Sequence, residues 1–354
     1  MKKKKIFLER RDRFFVENKK EHAEIPKNCL IELTNACNHE CIFCHNPTMQ
    51  RKITRLDFED YKIFVDKLAS HEVKELGLYT TGEPFMIKDL DKYIEYAKKK
   101  NIPRVYITTN GSLANISKVI KCINAGLDSI KFSINSSSRK NYKIIHGKDD
   151  FDKVLKNVND ILDYKKKNKL NLELIASFVV TSLNQNETLE FQENFKKTFD
   201  EIIFCKASNH GGRNIDRAST LTKDLTNKSA LDLCFNHSDE NVNIKKKIEP
   251  CDMIWSRMHL SSDKKLTACC MDYEHDLAYA NFDKETDLKK EFNNETIKNL
   301  RKKHLNNKLD GTICKNCLHN TNEAYKPIYE KKVEDNSNPK KIVNLNNRID
   351  KFYK

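Results

Sequence analysis

The stretch CLIELTNACNHECIFC, residues 29–44, decides how this chain is read. A six-residue apolar run with a strand-like pattern, CLIELT, leads directly into three cysteines, Cys37, Cys41 and Cys44. Three and then two residues lie between them. Thiolates are soft ligands that hold zinc or iron–sulfur clusters, and a closed structural site uses four protein ligands. Three thiolates leave one coordination position open. His39 or His45 would complete a zinc site from within the same loop; a ligand from outside the chain would complete another kind of centre.

Working outward, strand-like runs recur at 73–80, 104–109, 129–134, 172–180 and 201–205. Between them lie stretches with apolar residues three and four apart, such as FEDYKIFVDKLASH, LDKYIEYAKKK, ISKVIKCINAG and FDKVLKNVNDILDYKKK. Gly126 ends the third as a helix C-cap does. Strands alternating with helices predict a parallel α/β sheet with right-handed crossovers, open or curled into a partial (β/α)6 barrel. Ligands of such sheets gather at the C-terminal ends of the strands. The cysteine loop follows the first of those ends.

The 354 residues suffice for one large core or two domains, and 38% hydrophobic content excludes a disordered chain. The longest apolar run, LELIASFVV, is broken by Glu173 and Ser177 and is too short to span a membrane. The N-terminal segment MKKKKIFLERRDRFF lacks the apolar core of a signal peptide. A cytoplasmic protein without a membrane span is expected. The net charge of +14 is diffuse, with Lys and Arg interleaved with Asp and Glu, so nucleic acid is not the expected partner. Twelve cysteines in such a compartment point to metal rather than disulfides. The expected divisions are a basic N-terminal extension (1–27), a core (28–210), a polar linker (211–250), a second cysteine-bearing unit (251–318) and a tail (319–354).

Together these features resemble the radical S-adenosylmethionine (radical SAM) superfamily. The CxxxCxxC spacing after the first strand, with Phe43 before the third cysteine, is similar to that family's signature. The resemblance implies that Cys37, Cys41 and Cys44 hold a [4Fe–4S] cluster whose open iron takes the amino and carboxylate groups of SAM. TTGEP (80–84) at the second strand end is similar to the family's GGEP motif, with Thr81 where the first glycine usually stands. By this likeness Gly82 lets backbone approach the methionine part of SAM, and Glu83 accepts from its ammonium. Thr109 and Asn110 of ITTNGS line the same cavity, and Ser133 and Asn135 of KFSIN reach the ribose or carboxylate. The likeness covers roughly residues 28–205.

Cys251, Cys269, Cys314 and Cys317 form a second set, in PCDMIW, SDKKLTACCMD and GTICKNC. On spacing alone, zinc and iron–sulfur are both open. The arrangement resembles the twitch variety of the SPASM extension and implies one auxiliary [4Fe–4S] cluster. Lys264 stands where that family usually has glycine, five positions before the second ligand. Cys270, beside Cys269, either replaces it as ligand or is a free thiol facing the cavity. Cys29 and Cys122 read as small buried hydrophobes, while Cys205, at a strand end, reads as packing or as a hydrogen-atom donor.

The implied activity is reduction of SAM to a 5′-deoxyadenosyl radical, which takes hydrogen from substrate, with an electron donor such as flavodoxin or ferredoxin. Oxidation or epimerisation of a carbohydrate-like alcohol is expected, because only about 28 residues precede the first strand. Peptide maturation is the alternative within the family, and a zinc- and RNA-binding structural protein the alternative outside it. Lys206, His210 and Arg213, in CKASNHGGR, are the candidate bases or cations near substrate, with Cys205 beside them.

Overall fold

The computed structural model describes residues 14–210, 220–234 and 250–317. Arg213 and the tail lie outside the described residues, as do the outer part of the basic extension and much of the linker. Six parallel strands stand side by side in chain order: β1 (Asn28–Ile31), β2 (Glu75–Gly77), β3 (Arg104–Thr109), β4 (Ser129–Ser133), β5 (Glu173–Val180) and β6 (Glu201–Lys206). Helices α1 (Phe58–Ser70), α2 (Leu90–Lys99), α3 (Ile116–Asn124), α4 (Arg139–His146), α5 (Phe151–Lys167) and α6 (Thr188–Phe195) fill the crossovers. This is the expected partial (β/α)6 barrel. Its helices start where short polar side chains cover free N–H groups: Asp57 accepts from the Glu59 amide, Asn115 from that of Lys118 and Ser138 from that of Asn141. Gly126 follows α3 at φ +97°, a left-handed conformation a side chain would resist.

Alternation along each strand sorts the side chains. Leu76, Val105, Ile107, Ile130, Phe132, Leu174 and Phe178 face the helices and join Phe64, Tyr93, Val119, Val154 and Phe191 in the main core. A fully buried side chain of that size contributes roughly 1.5–3 kcal/mol. The opposite face lines the barrel lumen. A Cβ on Gly77 would meet Leu30, Tyr106 and Tyr79 there. Thr108 and Lys131 are paired in register on the same face, as are Ser133 and Ser177.

The sheet does not stop at β1. β7 (Met258–Leu260) pairs with β1 in parallel, and β8 (Lys265–Thr267) and β9 (Ala278–Asn281) follow antiparallel. The second cysteine-bearing unit thus extends the barrel sheet. It adds α8 (Met253–Ser256), α9 (Leu288–Glu291) and α10 (Glu295–Leu305). The described part of the basic extension is not a solvated arm: Trp255 donates to the Lys20 carbonyl at 2.6 Å, and Asn293 bonds Ala23 at both its amide and carbonyl.

One expected division is corrected. Residues 220–234 are structured, with α7 (Lys228–Leu233) and a bridge from Cys234 to Phe204 of β6. Their polar composition conceals Leu221, Ala230 and Cys234, which are buried. The Ser182 amide, just beyond β5, donates to the Leu221 carbonyl at 2.7 Å.

Candidate functional site

Cys37, Cys41 and Cys44 are partly exposed in the loop after β1. A tight turn closes the loop, with the Cys44 amide on the Cys41 carbonyl at 2.9 Å. Asn46 ties it down by donating to the carbonyls of Asn35 and Thr81, each at 2.8 Å. The three sulfurs feel one another's charge. Burial pushes Cys37 up to about 12, with Glu83 and Cys44 adding to the shift. Burial also raises Cys41, reinforced by Cys44 and Cys37. A bound cation resolves that frustration, because it offsets three converging thiolates at once. The donor set therefore fits a cluster held by three cysteines.

The loop has a second layer of support. His146, fully buried at the end of α4, lies 3.4 Å from the Cys41 sulfur through Nδ1. The same nitrogen is 3.2 Å from Nδ1 of His39, whose Nε2 meets Asp150 at 3.1 Å. The Nε2 of His146 donates to the Ile134 carbonyl at 3.0 Å, which fixes its tautomer. The Nδ1 of His146 is then an acceptor, facing both the His39 ring and the Cys41 sulfur. Burial lowers both histidines, His146 to about 3. The ligand atoms of His39, Cys41 and His146 lie within 4.8 Å of one another, a group that contains only one of the three loop cysteines. His45 turns away, to Glu274 at 2.9 Å.

The TTGEP segment packs directly on this loop. A Cβ on Gly82 would sit 2.2 Å from the Thr34 carbonyl oxygen and 2.5 Å from that of Ala36. Here the glycine admits the chain's own backbone, and the Glu83 amide donates to Ala36 at 2.8 Å. Glu83 accepts from the Phe85 amide, the Thr109 hydroxyl and the Asn110 amide at 3.1, 2.7 and 2.8 Å. Burial outweighs these bonds and raises its carboxyl to about 7. Thr81 gives its hydroxyl to Glu32, not to the cavity. Asn110 reaches Asn38 at 2.9 Å and comes within 4.0 Å of the Cys37 sulfur. Ser133 lies 3.3 Å from Ser177 on the lumen face. Asn135 is buried at φ +59° and braces β5 by accepting from Val179 at 2.8 Å.

Of the candidate bases, Cys205 faces the lumen near Lys131, with burial raising its thiol to about 11. Lys206 is corrected: neighbours on a strand point to opposite sides, so it lies on the Phe204 side, near Cys234. His210 donates through Nε2 to the Phe43 carbonyl at 2.7 Å and meets the Tyr273 ring edge-on. It braces the cysteine loop rather than facing an open cavity.

The second set also converges. The charges of Cys314 and Cys317 act on Cys251, and that of Cys251 acts on Cys269. Cys270 lies beside Cys269, and the hydrogen bond from Cys269, with His259 and Arg257, holds its thiol well below the usual range against the effect of burial. Between the two sets runs the 271–275 loop. The Tyr273 hydroxyl lies 3.7 Å from the Cys44 sulfur, and the Tyr273 carbonyl accepts from Arg51 at 2.6 Å. Arg51 also binds Glu32 and Asp263, each at 3.0 Å. His39 and His45 entered the sequence reading only as zinc ligands. His146, Arg51, Arg257 and Tyr273 did not enter it, because no local motif marks them.

Residues 31–190 match the radical SAM superfamily. A probable GTP 3′,8-cyclase of Saccharolobus solfataricus is 33% identical over 164 residues, 46% of this chain and 51% of that protein. The chain spans about half the length of the curated relatives it matches. In fold it is similar to BtrN solved with AdoMet and 2-DOIA (TM-score 0.55, 14% identity, 83% of this chain and 94% of that one). It is also similar to Streptococcus suis SuiB solved with the precursor peptide SuiA (TM-score 0.57, 16% identity, 78% of this chain and 67% of that one). The three-cysteine loop on β1, the parallel partial barrel and the family match coincide in one segment: over residues 31–190 this chain carries a radical SAM domain.

Proposed function

We propose that this chain is a radical SAM enzyme that takes hydrogen from a carbohydrate-like alcohol and oxidises or epimerises it. In this reading Cys251, Cys269, Cys314 and Cys317 hold an auxiliary [4Fe–4S] cluster in a twitch/SPASM-like unit. The supporting observation is that a single loop links the two thiol sets. Tyr273 reaches Cys44 from a loop that begins beside Cys270. When bound, the cluster and SAM supply one-electron cleavage and hydrogen-atom abstraction.

The chain's own residues bind and orient. Cys37, Cys41 and Cys44 hold the cluster. Glu83 keeps lone-pair capacity beyond its three hydrogen bonds for an ammonium group, and Asn110 and Ser133 offer polar contacts to the rest of SAM. Cys205 stays a protonated thiol at neutral pH, the form a hydrogen-atom donor needs. With Lys206 on the outer face, Lys131 is the lumen cation best disposed toward an alcohol. The likeness to the cyclase covers 46% of this chain.

Anaerobic reconstitution with SAM and a reductant, flavodoxin or dithionite, tests the reading. 5′-Deoxyadenosine is expected from the wild type and its loss from Cys37→Ala. Iron and sulfide counts should fall by one cluster in Cys314→Ala. Absence of 5′-deoxyadenosine from every reconstituted sample, or zinc in place of iron, would defeat the proposal. A peptide that co-purifies with the protein would move the substrate to the peptide class.

A further inference from the structure

The register of β7 on β1 sets Met258 beside Cys29 and His259 beside Leu30. Met258 and Leu260 belong to the core, so Arg257 and His259 turn to the lumen face with Leu30 and Tyr106. There Arg257 borders a cavity of about 120 Å³, together with Tyr79, Tyr106, Thr108, Lys131 and Glu75.

Among the described residues, the other buried guanidinium groups bond to oxygen atoms. Arg51 holds Glu32 and Asp263, Arg104 holds Glu173, and Arg301 bonds the carbonyls of Ile254, Glu21 and Phe292. Arg257 has no carboxylate within ion-pairing distance among the described residues. Its Nε is buried without a hydrogen-bond partner, and Nη1 has only the Met253 sulfur at 3.9 Å. The charges of the Cys269 and Cys270 sulfurs and of the Tyr79 and Tyr106 hydroxyls act on Arg257, but no oxygen acceptor is hydrogen-bonded to it among the described residues. A buried guanidinium keeps its donors unfilled only at a cost, and the cavity beside it gives an arriving anion a place to take them. The cavity adds Lys131, 5.8 Å from the Tyr79 ring, and two tyrosine hydroxyls. Arg104 also lines it, already paired with Glu173, and Glu75 is the one carboxylate in the lining among the described residues.

We propose that the substrate carries a phosphate or carboxylate, which Arg257 grips through its paired N–H groups with Lys131 beside it. This deepens the proposed function and rests on it, because it supplies the anchor that would fix an alcohol carbon in the lumen. The anchor leaves the reacting carbon neutral and free to face SAM.

The test uses reconstituted protein saturated with SAM, so that the SAM carboxylate site is filled, with inorganic phosphate and acetate as separate probes. Binding is read by calorimetry and thermal shift. One of the two anions should bind wild type at millimolar concentration, and which one does so tells phosphate from carboxylate. Arg257→Gln should weaken that binding about tenfold or more, the loss of one charge-assisted hydrogen-bonded pair. Arg257→Lys should recover part of it, Lys131→Gln should weaken it less, and the exposed Lys156→Gln should leave it unchanged. Iron content reports that each variant is folded. Binding of neither anion, or equal binding by Arg257→Gln, overturns the proposal. So does a change in the auxiliary cluster's spectrum in Arg257→Gln with anion affinity intact, which would assign Arg257 to the Cys269–Cys270 sulfurs. Missing 5′-deoxyadenosine alongside intact anion binding would sink the enzymatic reading alone.

Discussion

The Tyr273 hydroxyl and the Cys44 sulfur are 229 positions apart in the chain and 3.7 Å apart in space. Burial raises the tyrosine pKa, and the charge of Cys44 adds to it, so the phenol stays protonated and donates to any thiolate at that position. A hydrogen bond to a cluster sulfur favours the more negative, reduced state. Tyr273→Phe should therefore lower the midpoint potential of the SAM-binding cluster. About 1 kcal/mol of differential hydrogen bonding corresponds to about 40 mV for one electron. Iron content should be unchanged, and potentiometry followed by electron paramagnetic resonance reads the shift; an unmoved potential would detach Tyr273 from the cluster. At this scale the sequence exposes ligands and hides their supports. Cys37, Cys41 and Cys44 announce themselves because a metal dictates short spacing. Tyr273, His146 and Arg257 reach the site only through the fold, and a lone tyrosine or arginine carries no local signal. The same reason misassigned Lys206, since its side of β6 depends on a one-residue alternation that the loop beyond the strand obscures.

At the scale of elements, the cysteine-bearing hairpin shows what local pattern does carry. Lys264 occupies the position where resemblance predicted glycine, and its φ is +64° in the turn between β7 and β8. The turn needs a left-handed residue, which glycine adopts freely and a side-chain residue resists by roughly 1–2 kcal/mol. An exposed ion pair with Asp60 at 3.1 Å returns only a few tenths of that. Lys264→Gly should accordingly stabilise the protein by about 0.5–1 kcal/mol, seen as a higher urea midpoint with an unchanged slope. A lower midpoint would show that the Asp60 contact outweighs the backbone strain. Elements with strong periodicity, β3 and α5 among them, are legible to within a residue. α7 is not: six residues with one fully buried side chain, Ala230, give too little apolar repeat to stand out from polar surroundings.

Across the whole molecule, the two cysteine-bearing halves are joined by one continuous sheet and by a buried ion pair above its centre. Glu32, at the end of β1, accepts from Arg51, Thr80 and Thr81, and from the Ser262 amide and hydroxyl at 3.1 and 2.7 Å. Ser262 and Asp263 belong to the β7–β8 turn, so this network fastens the added hairpin to the barrel. Burial alone would raise the Glu32 carboxyl; Arg51 and the hydrogen bonds overcome it and hold the group below the ordinary carboxylate range. A depressed acid contributes stability that is present above its unfolded value, about 4.3, and lost as pH falls through the folded value. Arg51→Met reverses the sign. Burial is then unopposed by the guanidinium, the folded value rises, and the carboxyl destabilises the fold increasingly as pH climbs above about 4.3. The cost near neutrality should be about 3–5 kcal/mol, the penalty of a buried charge without its partner. The gap between wild type and variant should narrow steadily as the pH is lowered toward about 4. Urea unfolding of cluster-free, reduced protein across that range measures it. A gap that stays constant with pH would mean that Arg51 acts through packing, and that the joint between the halves is not electrostatic.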